Sequence, residues 1–259
     1  MMAMPILNLS VFMSSVLILQ FAAHVPPGHF AASLTRLGVP WRVVRIDAGE
    51  ALPEALNGIS GLGLMGGPMS ANDDLPWIAS VLALVRRAVA AGVPVIGHCL
   101  GGQLLARALG GTVGPSPARE IGWGRLDVVD PAAAAPWLGS LQEPLDTFQW
   151  HSEAFSIPQG ATRILSSAYS PNQAFVHAGR HLAMQFHAEM TPATIADWCA
   201  REGAAIASGD GRGVQAVRDI LAEMPQRIIR LHRLAEALYT RWTRNLVGHA
   251  TVRAPVPTL

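Results

Sequence analysis

From Val16 onward, short apolar runs alternate with stretches of helical periodicity, and this alternation restricts the chain to very few folds. The runs are Val16 to Gln20, Trp41 to Ile46, Gly61 to Met65 and Pro94 to His98. Each is too short for a core-facing helix and rich in branched residues, so each reads as a strand. Between them lie helices around Gly28 to Leu37 and from Leu75 to Ala91. In the second, Ile78, Val81, Leu82, Val85 and Val89 recur at steps of three and four, which turns one face toward a sheet. A repeated strand, helix, strand order implies parallel pairing with helices on the sheet's faces. After His98 the stretch from Gln103 to Leu109 is again helical and closes on Gly110 and Gly111, residues suited to a helix C-terminus.

Beyond Arg119 the texture changes to shorter strand-like runs: Ile121 to Val129, Asp146 to Trp150, Arg163 to Ala168, Ala174 to His177 and Leu182 to Phe186. No Ser/Gly-rich linker separates them from the first half, so residues 16–205 read as one α/β domain. From Val214 to Trp242 a heptad-like stripe of Val217, Leu221, Met224, Ile228, Leu231, Ala235 and Leu238 follows, with Pro225 inside it. A proline removes a backbone donor and clashes with the preceding turn, so residues 206–250 are expected to form two helices meeting near Met224 and packed on the domain. A homodimer contact is the alternative use of that stripe. Residues 251–259 form a tail. Residues 1–15 read as an irregular leader; the uncharged start lacks a basic n-region, and Asn8, Ser10, Ser14, Ser15 and Gln20 interrupt it, which argues against a signal peptide or membrane anchor.

Half of the 259 residues are hydrophobic and 14% are charged, which suits a chain with a sizeable core. Nineteen basic residues against eighteen acidic ones give a net charge of +1, no footprint for a nucleic-acid partner. All nineteen are arginine. The absence of lysine excludes a phosphate-loop lysine, a Schiff base and any lysine general base. Cys99 and Cys199 are too few for a disulfide framework or a cysteine-based zinc site, so a reducing, cytoplasmic compartment is expected.

The densest signal is Pro94-Val95-Ile96-Gly97-His98-Cys99-Leu100-Gly101-Gly102-Gln103. A buried strand passes through a sharp turn into a helix, with glycine two residues before and two after Cys99. This is a nucleophile elbow, whose central residue is strained and whose neighbours must be small. The helix N-terminus favours a thiolate there, and the turn aims the Leu100 N–H at an oxyanion. A thiolate needs an oriented acid/base partner. In Leu182 to Glu189 a late strand ends in His187-x-Glu189, a spacing that lets the carboxylate fix the imidazole tautomer.

Together these segments resemble the class I, triad-type glutamine amidotransferase family, and within it the stand-alone, GMP-synthase-like members. The matching residues are Gly66-Gly67-Pro68, the Gly97-x-Cys99-x-Gly101-x-Gln103 elbow and His187-x-Glu189, joined by Gly66 to Asp73, Trp150-His151-Ser152-Glu153 and Ser170 to Phe175. The resemblance runs in order from about Val16 to Pro192. It implies a flavodoxin-like, open, mostly parallel sheet with helices on both faces. It implies a Cys99-His187-Glu189 triad that releases ammonia through a γ-glutamyl thioester, with Gly67 and Leu100 as the oxyanion hole. Gln103 and the Ser152 region would hold the substrate, and His151, in the polar patch after a strand, is a further contact. A separate synthetase subunit is the implied ammonia acceptor, unless the chain is a self-contained hydrolase. No cofactor or metal is implied. Two departures stand out: Ala188 replaces the usual proline between His187 and Glu189, and His98 replaces an aliphatic residue. Strand alternation points His98 away from Cys99, toward a subsite or a buried partner.

Three rival readings use the same residues. Gly61-x-Gly63-x-x-Gly66 matches a dinucleotide fingerprint, but it lies inside an apolar run with no acidic ribose partner suitably placed after it. His177 and His181 with His187 and Glu189 could be offered as zinc ligands, but His177 to His181 reads as a polar turn containing Gly179. Cys199 reads as a core thiol. A non-catalytic metabolite- or partner-binding protein, or a DJ-1/PfpI-like cysteine hydrolase, are the alternative functions; the first gives no use to the triad and the second none to His187-x-Glu189.

Overall fold

The computed structural model describes residues 14–141, 144–206 and 211–248. The first half alternates as the periodicity requires: β1 (Ser15–Gln20), α1 (Gly28–Arg36), β2 (Trp41–Arg45), β3 (Ile59–Leu64), α2 (Pro76–Ala90), β4 (Val95–His98) and α3 (Leu100–Ala108). The second half holds β5 (Val113–Val128), α4 (Pro131–Leu138), β6 (Leu145–Phe155), β7 (Ala161–Ser166), β8 (Ala174–His177), β9 (His181–Met184), α5 (Pro192–Ile206) and α6 (Val217–Thr243). Among the described residues nine strands form one sheet in the order β2-β1-β3-β4-β9-β8-β7-β5-β6. From β2 to β9 every pairing is parallel. From β9 to β6 every pairing is antiparallel.

The parallel strands are apolar throughout because both of their faces are covered. In β1, Val16 and Ile18 enter the core shared with α1 and α6, whereas Leu17 and Leu19 enter the core shared with α2 and α3. The α/β class and the doubly wound parallel half are as expected. The antiparallel half is larger than the sequence suggested: β5 and β6 are not short runs but a long hairpin, and α4 lies between them.

Where a helical pair is expected in residues 206–250, the described residues after α5 hold one helix. α6 runs unbroken from Val217 to Thr243 with Pro225 inside it. The proline forfeits one backbone bond near the exposed Leu221, while Ile220 before it and Ile228, Leu231, Leu234, Leu238 and Trp242 after it are buried along one face. Continuous burial of that face outweighs the lost bond. From Ile228 to Trp242 the stripe is buried within the chain, while Leu221 at its start is exposed. The expected leader falls outside the described residues except for Ser14 and Ser15, and Ser15 already opens β1. The expected tail, 251–259, also lies outside them.

Gly61 and Gly63 of the fingerprint-like segment have a packing reason. A β-carbon on Gly61 would come within 2.5 Å of Leu246 and 2.8 Å of the Trp242 ring, and one on Gly63 within 2.7 Å of Phe30. The close approach of Phe30 and Trp242 to β3 needs glycine there.

Candidate active site

The carboxyl ends of β3, β4 and β9 meet at one edge of the parallel half, the position at which wound α/β sheets form a crevice. A cleft of about 390 Å³ opens there, lined by Gly67 after β3, Cys99 after β4, His187 after β9 and residues of the β5–β6 hairpin and α5.

Cys99 has φ +49° and ψ −110°, a strained conformation for a residue with a side chain, at the first turn of α3. The glycines around it are dictated by contact. A β-carbon on Gly97 would overlap the backbone of Gly101, one on Gly101 would overlap the Leu64 carbonyl, and one on Gly102 would lie 2.5 Å from the Met184 carbonyl. The Cys99 N–H donates to the Met184 carbonyl at 2.8 Å, tying the elbow to β9.

His187 Nδ1 lies 2.6 Å from Glu189 Oε1, and both side chains are 2% exposed. Burial alone would strip the ring of its proton, but the Glu189 carboxylate and the Cys99 sulfur outweigh it and push the His187 pKa up to about 10. Burial likewise opposes charge on Glu189, and the imidazole of His187 overcomes it, holding the carboxyl below its usual range. The ring is confined by close neighbours. A β-carbon on Gly66 would come within 2.9 Å of Cε1, and the Trp198 ring meets the imidazole edge-on at 4.9 Å. The main chain of Glu189 is fixed by α1, whose His29 N–H donates to its carbonyl at 2.8 Å.

Gly67 and Leu100 adjoin, since a β-carbon on Gly67 would come within 2.9 Å of the Leu100 side chain. As the first residue of α3, Leu100 carries an N–H with no intrahelical acceptor. Gln103, Ser152 and His151 all line the cleft. Gln103 is less free than expected: its amide nitrogen donates to the Glu153 carbonyl and to Gln185 Oε1, each at 3.3 Å. Gln185 in turn donates to Cys99 Sγ at 3.5 Å. Gln185, missed in the sequence, lies two residues before His187, a spacing that could have flagged it.

A directional relay holds His151. Gln173 Nε2 donates to Glu120 Oε2 at 2.7 Å, Gln149 Nε2 donates to Gln173 Oε1 at 3.1 Å, and Gln149 Oε1 is left to accept from His151 Nε2 at 3.1 Å. A carboxylate only accepts, so the order of donors is fixed from Glu120 outward and His151 carries its hydrogen on Nε2. Arg119 was also missed. The β5–β6 register slips between Pro115 and Glu120, and Arg119 in that irregular stretch lines the cleft with no acceptor among the described residues. An irregularity of this kind re-aims side chains beside a site. Trp150 and Glu202, joined by an indole to carboxylate bond of 2.8 Å, complete the outer wall.

The rival zinc reading is not assembled: His177 and His181 pair across the β8–β9 turn, and His181 Nδ1 accepts the Val95 N–H at 3.2 Å. No group of three metal-ligating side chains occurs among the described residues. No helix among them is long and apolar enough to cross a membrane.

A wound α/β sheet with a cysteine elbow facing a His-x-Glu strand end defines an amidotransferase-type domain. The sequence model described as glutamine amidotransferase class-I matches residues 29–200, and the chain belongs to that family. The glutamine amidotransferase-like protein YfeJ of Salmonella typhimurium is 30% identical over 185 residues, covering 70% of this chain and 76% of that protein. GMP synthase [glutamine-hydrolyzing] of Aeropyrum pernix is 33% identical over 161 residues, covering 62% of this chain but 30% of that enzyme's length. Among solved structures, a glutamine amidotransferase from Methylobacillus flagellatus has a TM-score of 0.87 and 44% identity, covering 94% of this chain and all of that one. One from Thermotoga maritima has a TM-score of 0.78 and 25% identity, covering 88% and 97%. The family supports hydrolysis of a glutamine amide in general.

Proposed function

We propose that Cys99, His187 and Glu189 cleave glutamine or another γ-glutamyl amide through a γ-glutamyl thioester. The Cys99 sulfur attacks the γ-carbonyl, and the oxygen that gains charge is met by the N–H groups of Gly67 and Leu100. His187, charged through the neutral range, gives its proton to the leaving nitrogen, and ammonia or an amine departs. Water then attacks the thioester, His187 takes the water's proton, and glutamate leaves as the thiolate is restored beside the recharged ring. Glu189 keeps the ring oriented and supports its charge. Arg119 is assigned the substrate's α-carboxylate, supported by its place in the cleft and its lack of an acceptor among the described residues. Gln103 acts by holding Gln185 against the sulfur, while His151 and Ser152 contact substrate.

The observation that carries this reading is the strained elbow at Cys99 beside a buried His187–Glu189 pair whose ring the sulfur itself helps to charge. The test is incubation with an electrophilic glutamine analogue followed by intact mass measurement. One adduct is expected on the wild type and none on Cys99→Ala; labelling that survives the substitution, or a folded wild type that takes no label, refutes the thioester. Glutaminase activity measured with and without cell extract then separates a self-contained hydrolase from a subunit that feeds ammonia to a synthetase. Both cysteines are free, which supports a reducing, cytoplasmic setting.

A further inference from the structure

His98 is unused by the chemistry above, yet it is fully buried and lies beside the nucleophile. Its two nitrogens have different partners. Nδ1 lies 3.3 Å from the Leu64 carbonyl, which can only accept, so Nδ1 carries the hydrogen. Nε2 lies 2.9 Å from the Tyr239 hydroxyl. In the neutral ring Nε2 must then accept, and the tyrosine donates. Burial favours this arrangement by holding His98 uncharged and Tyr239 as a phenol. The Phe30 ring packs against both, at 5.4 Å and 4.9 Å.

These bonds join three pieces of chain. His98 is the residue before Cys99. Leu64 closes β3, three residues before Gly67, and its carbonyl abuts Gly101 so closely that no β-carbon would fit. Tyr239 is on α6, outside the residues that match the family model. A second contact from α6 reaches the other end of the triad: His232 Nε2 lies 2.9 Å from the carbonyl of Met190, the residue after Glu189.

We propose that Tyr239 is a positioning residue: through His98 and the Leu64 carbonyl it sets the distance between the Cys99 sulfur and the Gly67 N–H. α6 would thereby supply, from within the same chain, part of the support for the oxyanion hole. The proposal rests on the thioester reading only in taking Gly67 as an oxyanion donor. It does not depend on which amide is the substrate.

The test compares two reactions of Cys99 in the whole chain. Acylation by p-nitrophenyl acetate builds an oxyanion; alkylation by iodoacetamide builds none. Tyr239→Phe removes one hydroxyl and is expected to slow acylation about tenfold, less than the 10²–10³ typical when an oxyanion donor is lost outright. The alkylation rate should stay within about twofold. His98→Gln, which keeps one donor and one acceptor, is expected to acylate faster than His98→Leu. Equal slowing of both reactions would show general loosening and overturn the proposal, as would an unchanged acylation rate in Tyr239→Phe. A wild type that alkylates but never acylates would overturn it too. A wild type that acylates with the ester but cleaves no γ-glutamyl amide would instead refute the substrate assignment and leave the role of Tyr239 standing.

Discussion

At 2% exposure the His187 ring keeps its proton only because a carboxylate and a sulfur lie on either side of it. A pKa raised on folding from 6.5 to about 10 means that the folded form binds this proton more tightly than the unfolded chain. The resulting stability is complete below pH 6.5, declines as pH rises above it, and is gone above about 10. Glu189 acts in the opposite sense: its carboxyl is held below 4.5, so its contribution is present above that value and disappears as pH falls through the folded pKa. Thermal melting of the wild type and of His187→Gln should therefore differ most between about pH 4.5 and 6.5, with the gap closing toward pH 10. A gap that widens with pH would contradict the charged pair. Cys99, His187 and Glu189, the triad proposed above, stood out because elbow glycines and a His-x-Glu strand end leave marks in a short stretch. Arg119 and Glu120 did not, since they come to the cleft only after the β5–β6 hairpin folds over it, whereas Gln185 reaches Cys99 through the pairing of β4 with β9.

α6 shows how an element can override a local rule. Proline within a helix costs about 3 kcal/mol, and this was the reason to expect a break near Met224. The buried face on either side of Pro225 holds the helix together instead. Pro225→Ala should then restore a bond to the Leu221 carbonyl and raise stability by about 1–3 kcal/mol, read from urea denaturation; a loss of stability would mean that the proline's shape is required. Strands with an apolar run and a flanking turn were legible, and so were the helices with strict three-four spacing. α4 was missed although Asp130 accepts the Ala133 N–H at 2.9 Å and Pro131 follows it, a start signal hidden by a run of alanines that gives no periodicity. The long hairpin was read as shorter runs because Pro115 and Pro117 in the first half of β5, and the polar His151 to Glu153 in β6, do not read as strand.

Across the whole molecule α6 is joined to both halves of the sheet. Asp146 on β6, 1% exposed, accepts from Arg227 at 2.9 Å and Arg230 at 3.0 Å, while Trp242 and Leu246 close over Gly61 of β3. Asp146→Ala should lower stability by about 2 kcal/mol, below the 3–5 expected of a fully buried pair because Arg230 is 49% exposed. Unfolding should remain a single transition. An earlier, separate melting of α6 would show that the helix is an appendage and not part of the core. Long-range joins of this kind leave no trace in local pattern, which is why the class of sheet was foreseeable and the reach of its last helix was not.

The way Phe30, His98 and β3 are roofed by α6 also sets an order for synthesis. When the elbow leaves the ribosome, His98 still lacks its Tyr239 partner, which lies more than a hundred positions behind. The surroundings of Cys99 can mature only once α6 has been made.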